Sequence, residues 1–238
     1  MLRHSWIHGK GLSLHAGHTW PFLSLVCLEW HLHPHWSEGS IRQFNTSCMT
    51  NMSSPNASKS ALIIIDVQKS FTQMPSWTLD EVPAFQSSLL RLEQGCRLSG
   101  VPVVHIYHCG ASGPFTPESG FIQPLDWLPG NPSARFDKHT HNAFTDTGLD
   151  LWLRRRGVQK LIITGIRTEQ CCETTARVGS DIGYQVDFVT EATLTFPMKH
   201  QGSGVVFSAQ DIKTRTELVL QERFARIVDV DTCLASLG

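Results

Sequence analysis

The sequence predicts an α/β domain in three layers, with a mostly parallel central sheet of about six strands held between helices. Two observations carry that expectation. Short β-branched runs such as Ala61 to Asp66 and Lys160 to Gly165 are apolar without interruption, as strands buried on both faces are. They alternate with longer segments that carry helix caps and helical spacing, which implies right-handed crossovers between parallel strands.

Taken in order, Ala61 to Asp66 is the first strand, ending on a charge. Asp80 then offers a helix N-cap, with Leu89, Leu90 and Leu92 in a helix that stops near Gly100. Val101 to Tyr107 is a second strand, and residues 108–136, rich in Gly and Pro, form a long excursion of the kind that is often functional. A helix is expected over Thr147 to Arg156, halted by Gly157, followed by the strand Lys160 to Gly165 and a helix from Glu169 to Ile182. Gln185 to Val189 is a further strand, Ser208 to Phe224 a helix, and Ala225 to Val230 the last strand. In an open sheet of this kind ligands bind beyond the carboxyl ends of the strands, which turns attention to Asp66, to Tyr107 and His108, and to Gly165 onward. No phosphate-cradling glycine loop follows the first strand, so the nucleotide-binding version of such a sheet lacks its mark.

Composition bounds the function. The 238 residues allow one large domain or two small ones, and 41% hydrophobic against 17% charged content is enough for a real core. Lys plus Arg number 20 and Asp plus Glu 21, a balance that excludes a chain devoted to gripping nucleic acid or anionic membrane. No apolar run approaches the ~18 residues of a membrane span. The seven cysteines are odd in number, irregularly spaced and free of any CxxC pair. They read as reduced thiols in a cytoplasmic protein rather than as disulfides or a structural zinc site.

Residues 1–60 differ from the rest. Seven of twelve histidines and four of seven tryptophans precede residue 37, with no sustained period and few charges. The apolar stretch from Pro21 to Leu28 is short, Glu29 follows it, and no small-x-small cleavage site comes next, which argues against a signal peptide. His31, His33 and His35 alternate, but Pro34 spoils a strand that would align them as metal ligands. The expectation is an extraneous or disordered extension and linker over 1–60, with Met49 or Met52 as the natural start, and a catalytic domain over 61–238.

Three residues carry the chemistry. Asp66 ends a buried strand, where the ordinary reading is a carboxylate bonded to backbone amides. Lys138 sits in Arg-Phe-Asp-Lys-His-Thr-His-Asn-Ala-Phe144, and most lysines are solvated surface charges. Cys171 follows a strand at the start of a helix, where the dipole and amide donors favour a thiolate, although most single cysteines are simply buried.

The combination is what resembles a known family. Asp66-x-Gln68-x-x-Phe71, then Lys138-x-x-x-x-Ala143-Phe144, then Gly165-x-x-Thr168-x-x-Cys171-x-Glu173-x-Thr175-x-Arg177 look like the motifs of the isochorismatase-like cysteine hydrolases, a Rossmann-like group. The resemblance runs in order from about residue 61 to 200. It implies Cys171 as nucleophile, Asp66 as the group that takes the thiol proton and returns it to the leaving group, and Lys138 as the cation orienting both. Backbone amides of Arg167 and Cys171 would form the oxyanion hole, the first placed by a cis Ile166–Arg167 peptide.

The implied activity is hydrolysis of a C–N bond in a small carboxamide through a Cys171 thioester. Two other readings stand beside it: opening of a lactam or cyclic amide, and a non-catalytic binding or redox-sensing role built on the pair Cys171–Cys172. Nicotinamidases of the superfamily carry an Asp-x-His metal motif after the second strand. Here that stretch is Ile106-Tyr107-His108, so no metal and no cofactor are expected. True isochorismatases replace the nucleophile by Gly, which Cys171 argues against. Phe71, Tyr107, His108, Trp127 and Phe136 are the candidate pocket walls. For Arg167 two roles are open, holding a substrate carboxylate or facing a partner subunit. The expected partners are a small-molecule substrate and, by resemblance, further copies of the chain.

Overall fold

Alternate residues of β1 (Ser60–Ile65) enter opposite cores, which is why an unbroken apolar run forms a strand here. Leu62 and Ile64 pack with Phe85, Leu89 and Leu92 of α1 (Val82–Leu98), while Ala61, Ile63 and Ile65 meet Leu149 and Leu153 of α2 (Leu149–Arg155). Each buried Leu, Ile or Phe side chain among these, removed from water, contributes roughly 1.5–3 kcal/mol of transfer free energy. The computed structural model describes residues 59–237. The extension expected over 1–60 therefore lies outside the described residues except for Lys59 and Ser60, and Ser60 already opens β1.

The principal sheet adds β2 (Val103–His108), β3 (Ala134–Lys138), β4 (Lys160–Ile166), β5 (Gln185–Leu194) and β8 (Arg226–Ile227). Its six strands are all parallel and lie in the order β3-β2-β1-β4-β5-β8. The chain moves one way from β1 to β3 and then returns to the other side of β1 with β4. This topological switch opens a crevice between the carboxyl ends of β1 and β4. α1 and α5 (Val230–Ala235) cover one face through Phe85, Cys96, Val230 and Cys233. α2, α3 (Glu173–Asp181) and α4 (Ala209–Leu220) cover the other through Leu153, Ala176 and Leu220. A separate antiparallel ribbon, β6 (Met198–Lys199) with β7 (Val206–Phe207), exposes Met198, Val206 and Phe207. Among the described residues no helix is long and apolar enough to cross a membrane.

Several boundaries depart from the sequence pattern, each for a physical reason. β3 is polar and half-exposed in alternation, so it carries no apolar run; it exists because β2 offers an open edge. β5 continues past Val189 to Leu194 across an irregularity opposite Ile163 and Gly165. The last strand is only Arg226–Ile227, because Asp229 caps α5 by accepting from the Thr232 amide. α4 starts at a full capping box between Ser208 and Asp211 and ends four residues short of Phe224.

Gly165 lets β4 lie against β1 at the crevice. Its φ is +126°, and a Cβ there would stand 2.0 Å from the Ile65 carbonyl oxygen. Gly165→Ala should therefore destabilise the domain by at least ~3 kcal/mol in urea unfolding, since neither backbone has room to yield.

His105 faces inward from β2, 1% exposed, with Nδ1 3.1 Å from the Tyr107 hydroxyl and no partner for Nε2. Burial, reinforced by Arg97 and Arg135, pulls its pKa from 6.5 down to about 4. The unfolded chain thus takes up this proton first as the pH falls. The associated stability is complete above 6.5 and is lost between there and about 4. Between about pH 7.5 and about pH 5 the wild type should lose about 2 kcal/mol more unfolding free energy than His105→Gln.

Candidate active site

Three strand ends bring the charged groups together. Asp66 is the first residue past β1 and takes φ +54°, a left-handed conformation that Asp tolerates better than most residues. Its amide donates to the Ile106 carbonyl at 2.8 Å, which keeps the turn registered on β2. Lys138 ends β3, and Cys171 lies in a π-helical turn, Thr168–Cys172, between β4 and α3. The turn is tied to β5 by Thr168 Oγ1 donating to Thr193 Oγ1 at 2.7 Å. The sequence pattern predicts a plain α-helix from Glu169, so the π turn is a finding of the structure.

Lys138 and Asp66 are wholly buried, and Cys171 is nearly so. Lys138 Nζ stands 2.8 Å from Asp66 Oδ2, 3.3 Å from Cys171 Sγ, 3.1 Å from the Thr140 carbonyl and 3.2 Å from His108 Nδ1. An ammonium has three protons to offer, so these four acceptors compete for them. His108 must accept at Nδ1, which places its proton on Nε2. Burial, and next the charge of Lys138, pull His108 down to about 4, so its ring is neutral.

The Gln68 side chain holds the end of β2 in place of a strand. Its Oε1 accepts from the His108 amide at 2.7 Å and its Nε2 donates to the His108 carbonyl at 3.1 Å. On the other side, Thr175 Oγ1 accepts from the Ala143 amide at 3.1 Å, joining the loop after Lys138 to α3. These are the roles of the Gln, Ala and Thr positions that accompany the three chemical residues in the sequence.

The electrostatics describe a resting thiol. Burial, and then the Asp66 charge, push Cys171 up to about 12 against the opposing pull of Lys138. The thiolate expected from a helix N-terminus is thus not the resting state, because desolvation and a neighbouring carboxylate outweigh the dipole. Burial also raises Asp66 above its ordinary value, with Lys138 opposing. Burial pulls Lys138 down, yet Asp66 and then Cys171 outweigh it, and its net shift is upward. The site thus holds a lysine whose ammonium form is favoured, a thiol whose protonated form is favoured and, beside them, a carboxyl group more basic than usual.

Asp66 and Cys171 open onto a cavity of about 450 Å3, while Lys138 lies behind them and does not line it. Phe71, Met74 and Phe115 form its apolar side, and His108, His141, Arg167 and Gln170 its polar side. A larger depression, about 890 Å3, lies at the amino-terminal ends of β4, β5 and β8 among Lys160, Asp187 and Arg226, away from every strand end that carries chemistry.

Of the five expected walls, Phe71 and His108 line the cavity and three do not. Tyr107 alternates with His108 on β2 and lies beneath the Arg135 guanidinium, 4.5 Å from its ring. Trp127 packs edge-on against Phe85 at 5.7 Å in the α1 core, and Phe136 against Trp152 at 6.4 Å on the α2 side. Met74, Phe115, His141 and Gln170 escaped sequence reasoning. Phe115 sits inside the Gly- and Pro-rich excursion and His141 three residues past Lys138, so position relative to the motifs is the signal that points to them.

The Ile166–Arg167 peptide is cis. Arg167 Nη2 donates to Ser76 Oγ at 2.6 Å, and the guanidinium lies 5.1 Å from the centre of the Phe196 ring. Cys172 is wholly buried, and burial raises its thiol well above the ordinary range. Among the described residues no group of three or more His, Cys, Asp or Glu side chains is arranged to hold a metal ion.

Comparison with known proteins gives a consistent picture. A family model described as the isochorismatase domain matches residues 60–209. Nicotinamidase 3 of Arabidopsis thaliana is 30% identical over 204 residues, covering 79% of this chain and 93% of that protein. A streptothricin hydrolase of Streptomyces noursei is 32% identical over 143 residues, 57% of this chain and 50% of that one. The crystal structure of an isochorismatase from Pseudomonas putida superposes with a TM-score of 0.67 at 28% identity, covering 75% of this chain and 92% of that one.

Removing the cation isolates the electrostatics. Lys138→Met should destabilise the domain by about 3–5 kcal/mol at neutral pH, because Asp66 would be left as an uncompensated buried charge. The deficit should shrink as the pH is lowered and Asp66 takes up a proton, since burial raises its pKa; urea unfolding at neutral and at lower pH measures both.

Proposed function

Because the chain belongs to the isochorismatase family of hydrolases, we propose that it cleaves a C–N bond of a small carboxamide through a covalent Cys171 thioester. The observation that carries this is the buried Lys138 Nζ, 2.8 Å from Asp66 and 3.3 Å from Cys171, two residues that line the cavity. Asp66 takes the Cys171 proton as Sγ attacks the carbonyl carbon. The carbonyl π electrons move to oxygen, and the oxyanion is held by the amides of Arg167 and Cys171. Collapse breaks the C–N bond, Asp66 gives its proton to the departing nitrogen, and ammonia or an amine leaves. Water then attacks the thioester, with Asp66 again taking a proton. The S–C bond breaks, Asp66 returns that proton to Sγ to restore the thiol, and the carboxylic acid departs.

Lys138 holds the negative charge wherever it lies in this cycle, on Asp66 or on Sγ, since both are within its reach. Burial of Cys172 takes away the reactive thiolate that a redox-sensing pair needs, so the hydrolytic reading is the better supported. The relatives named nicotinamidase and streptothricin hydrolase support a hydrolase with an amide-like substrate.

Ammonia release from a panel of small carboxamides tests the reading. Release by the wild type should vanish in Cys171→Ala and fall by about 10²–10⁴ in Asp66→Asn. Turnover surviving intact in Cys171→Ala would sink the covalent route. As the pH falls, kcat/KM should be lost through an ionisation above 3.8, because burial makes Asp66 hold its proton more tightly than an exposed carboxylate.

A further inference from the structure

We propose that Arg167 is the anchor for an anionic group on the substrate, so that the preferred substrate class is an amide bearing a carboxylate. The inference deepens the amidase reading, on which it relies for the place of the reacting carbon. Three observations on the arginine itself support it.

The first is an imbalance of charge. Most arginines here face a carboxylate within 4 Å, as Arg97 faces Glu93 and Arg226 faces Asp187. Among the described residues Arg155, Arg156, Arg167 and Arg223 do not, and of these only Arg167 is drawn in from the surface. Asp66 and Lys138 cancel within the trio, which leaves the guanidinium as the uncompensated charge beside the cavity.

The second is orientation. Nη2 is tied to Ser76 Oγ and the guanidinium leans on the Phe196 ring, so the group is held by neutral partners that leave its charge unanswered. A guanidinium with N–H groups to spare matches a carboxylate by paired hydrogen bonds.

The third is position. Arg167 shares the cavity with Cys171, and its own amide is a proposed oxyanion donor. One residue thus fixes the carbonyl oxygen by its backbone and the distal charge by its side chain. Phe71, Met74 and Phe115 leave an apolar wall for the carbon skeleton between them. The class that fits is a short monoamide of a dicarboxylic acid, or an amide of equivalent charge.

The test uses two alkylating probes of nearly equal size and opposite character, iodoacetate and iodoacetamide. Their relative rates at Cys171 are read by peptide mass spectrometry on the wild type, Arg167→Gln and Arg167→Lys. The ratio of iodoacetate to iodoacetamide should fall about tenfold in the Gln variant and be largely kept in the Lys variant, the scale of one charge-assisted contact. A ratio unchanged in Arg167→Gln overturns the proposal. Should that variant fail to fold, the wild type still decides. Monoamides from malonamate to glutaramate must shield Cys171 from iodoacetamide at concentrations where the matching diamides do not, and equal shielding overturns the proposal. Ammonia release from the same compounds separates the two readings. A shifted ratio without hydrolysis upholds the anion site and counts against the amidase, whereas hydrolysis of monoamide and diamide alike without a shift does the reverse.

Discussion

Everything in the crevice depends on one buried ammonium. Lys138 is wholly buried, so its charge must be answered by protein groups around it. Asp66 comes from the end of β1, Cys171 from the turn after β4, Thr140 from the loop beyond β3 and His108 from the end of β2. Three segments far apart in sequence, together with a carbonyl two residues from Lys138 itself, are fixed within hydrogen-bond reach of one nitrogen. The same constraint bears on the proposed chemistry: a carboxyl group made more basic by its own burial stands beside the protonated thiol, and the cation lies within reach of both.

The sheet order is what makes that convergence geometrically possible. A parallel sheet whose strand order reverses beside β1 leaves the carboxyl ends of β1 and β4 adjacent, with no crossover helix between them. Gly165 allows the two backbones to meet there, and the irregularity between β4 and β5 lets the sheet accommodate that contact. The π turn then places Cys171 directly above the junction. Gln68 does for the end of β2 what a neighbouring strand does elsewhere, and its motif position has that structural explanation.

Much of this was legible in the residues. Buried parallel strands announce themselves by unbroken β-branched runs, so β1, β4 and the start of β5 were clear from Ala61, Leu161 and Val186 and their neighbours. The three side chains that meet at the crevice were legible because each stands just past such a run, or within a motif of fixed spacing. What escaped depends on tertiary context. β3 has no apolar signal, since an edge strand borrows its stability from β2. The cavity walls depend on which face of a strand a side chain takes. A shift of one residue separates His108, which lines the site, from Tyr107, which packs away from it. Trp127 and Phe136 looked like walls because they lie near the excursion, but aromatic rings of that size are more strongly held by Phe85 and Trp152 than by an open cavity. The thiol's resting state was misjudged for a similar reason, because a helix dipole can be read from sequence while desolvation cannot.

The polar, half-exposed β3 has one further consequence. It is the outermost strand on its side of the sheet, paired only with β2, and it ends on the ammonium that the site depends on. Outer strands open at lower free energy than the strands inside them, while the cores around β1 remain closed. The protein can therefore pass through a state in which its helices and inner sheet are intact and the cluster around Lys138 is dispersed. Fraying of five residues would first part Lys138 from Asp66 and Cys171, well before the molecule comes apart.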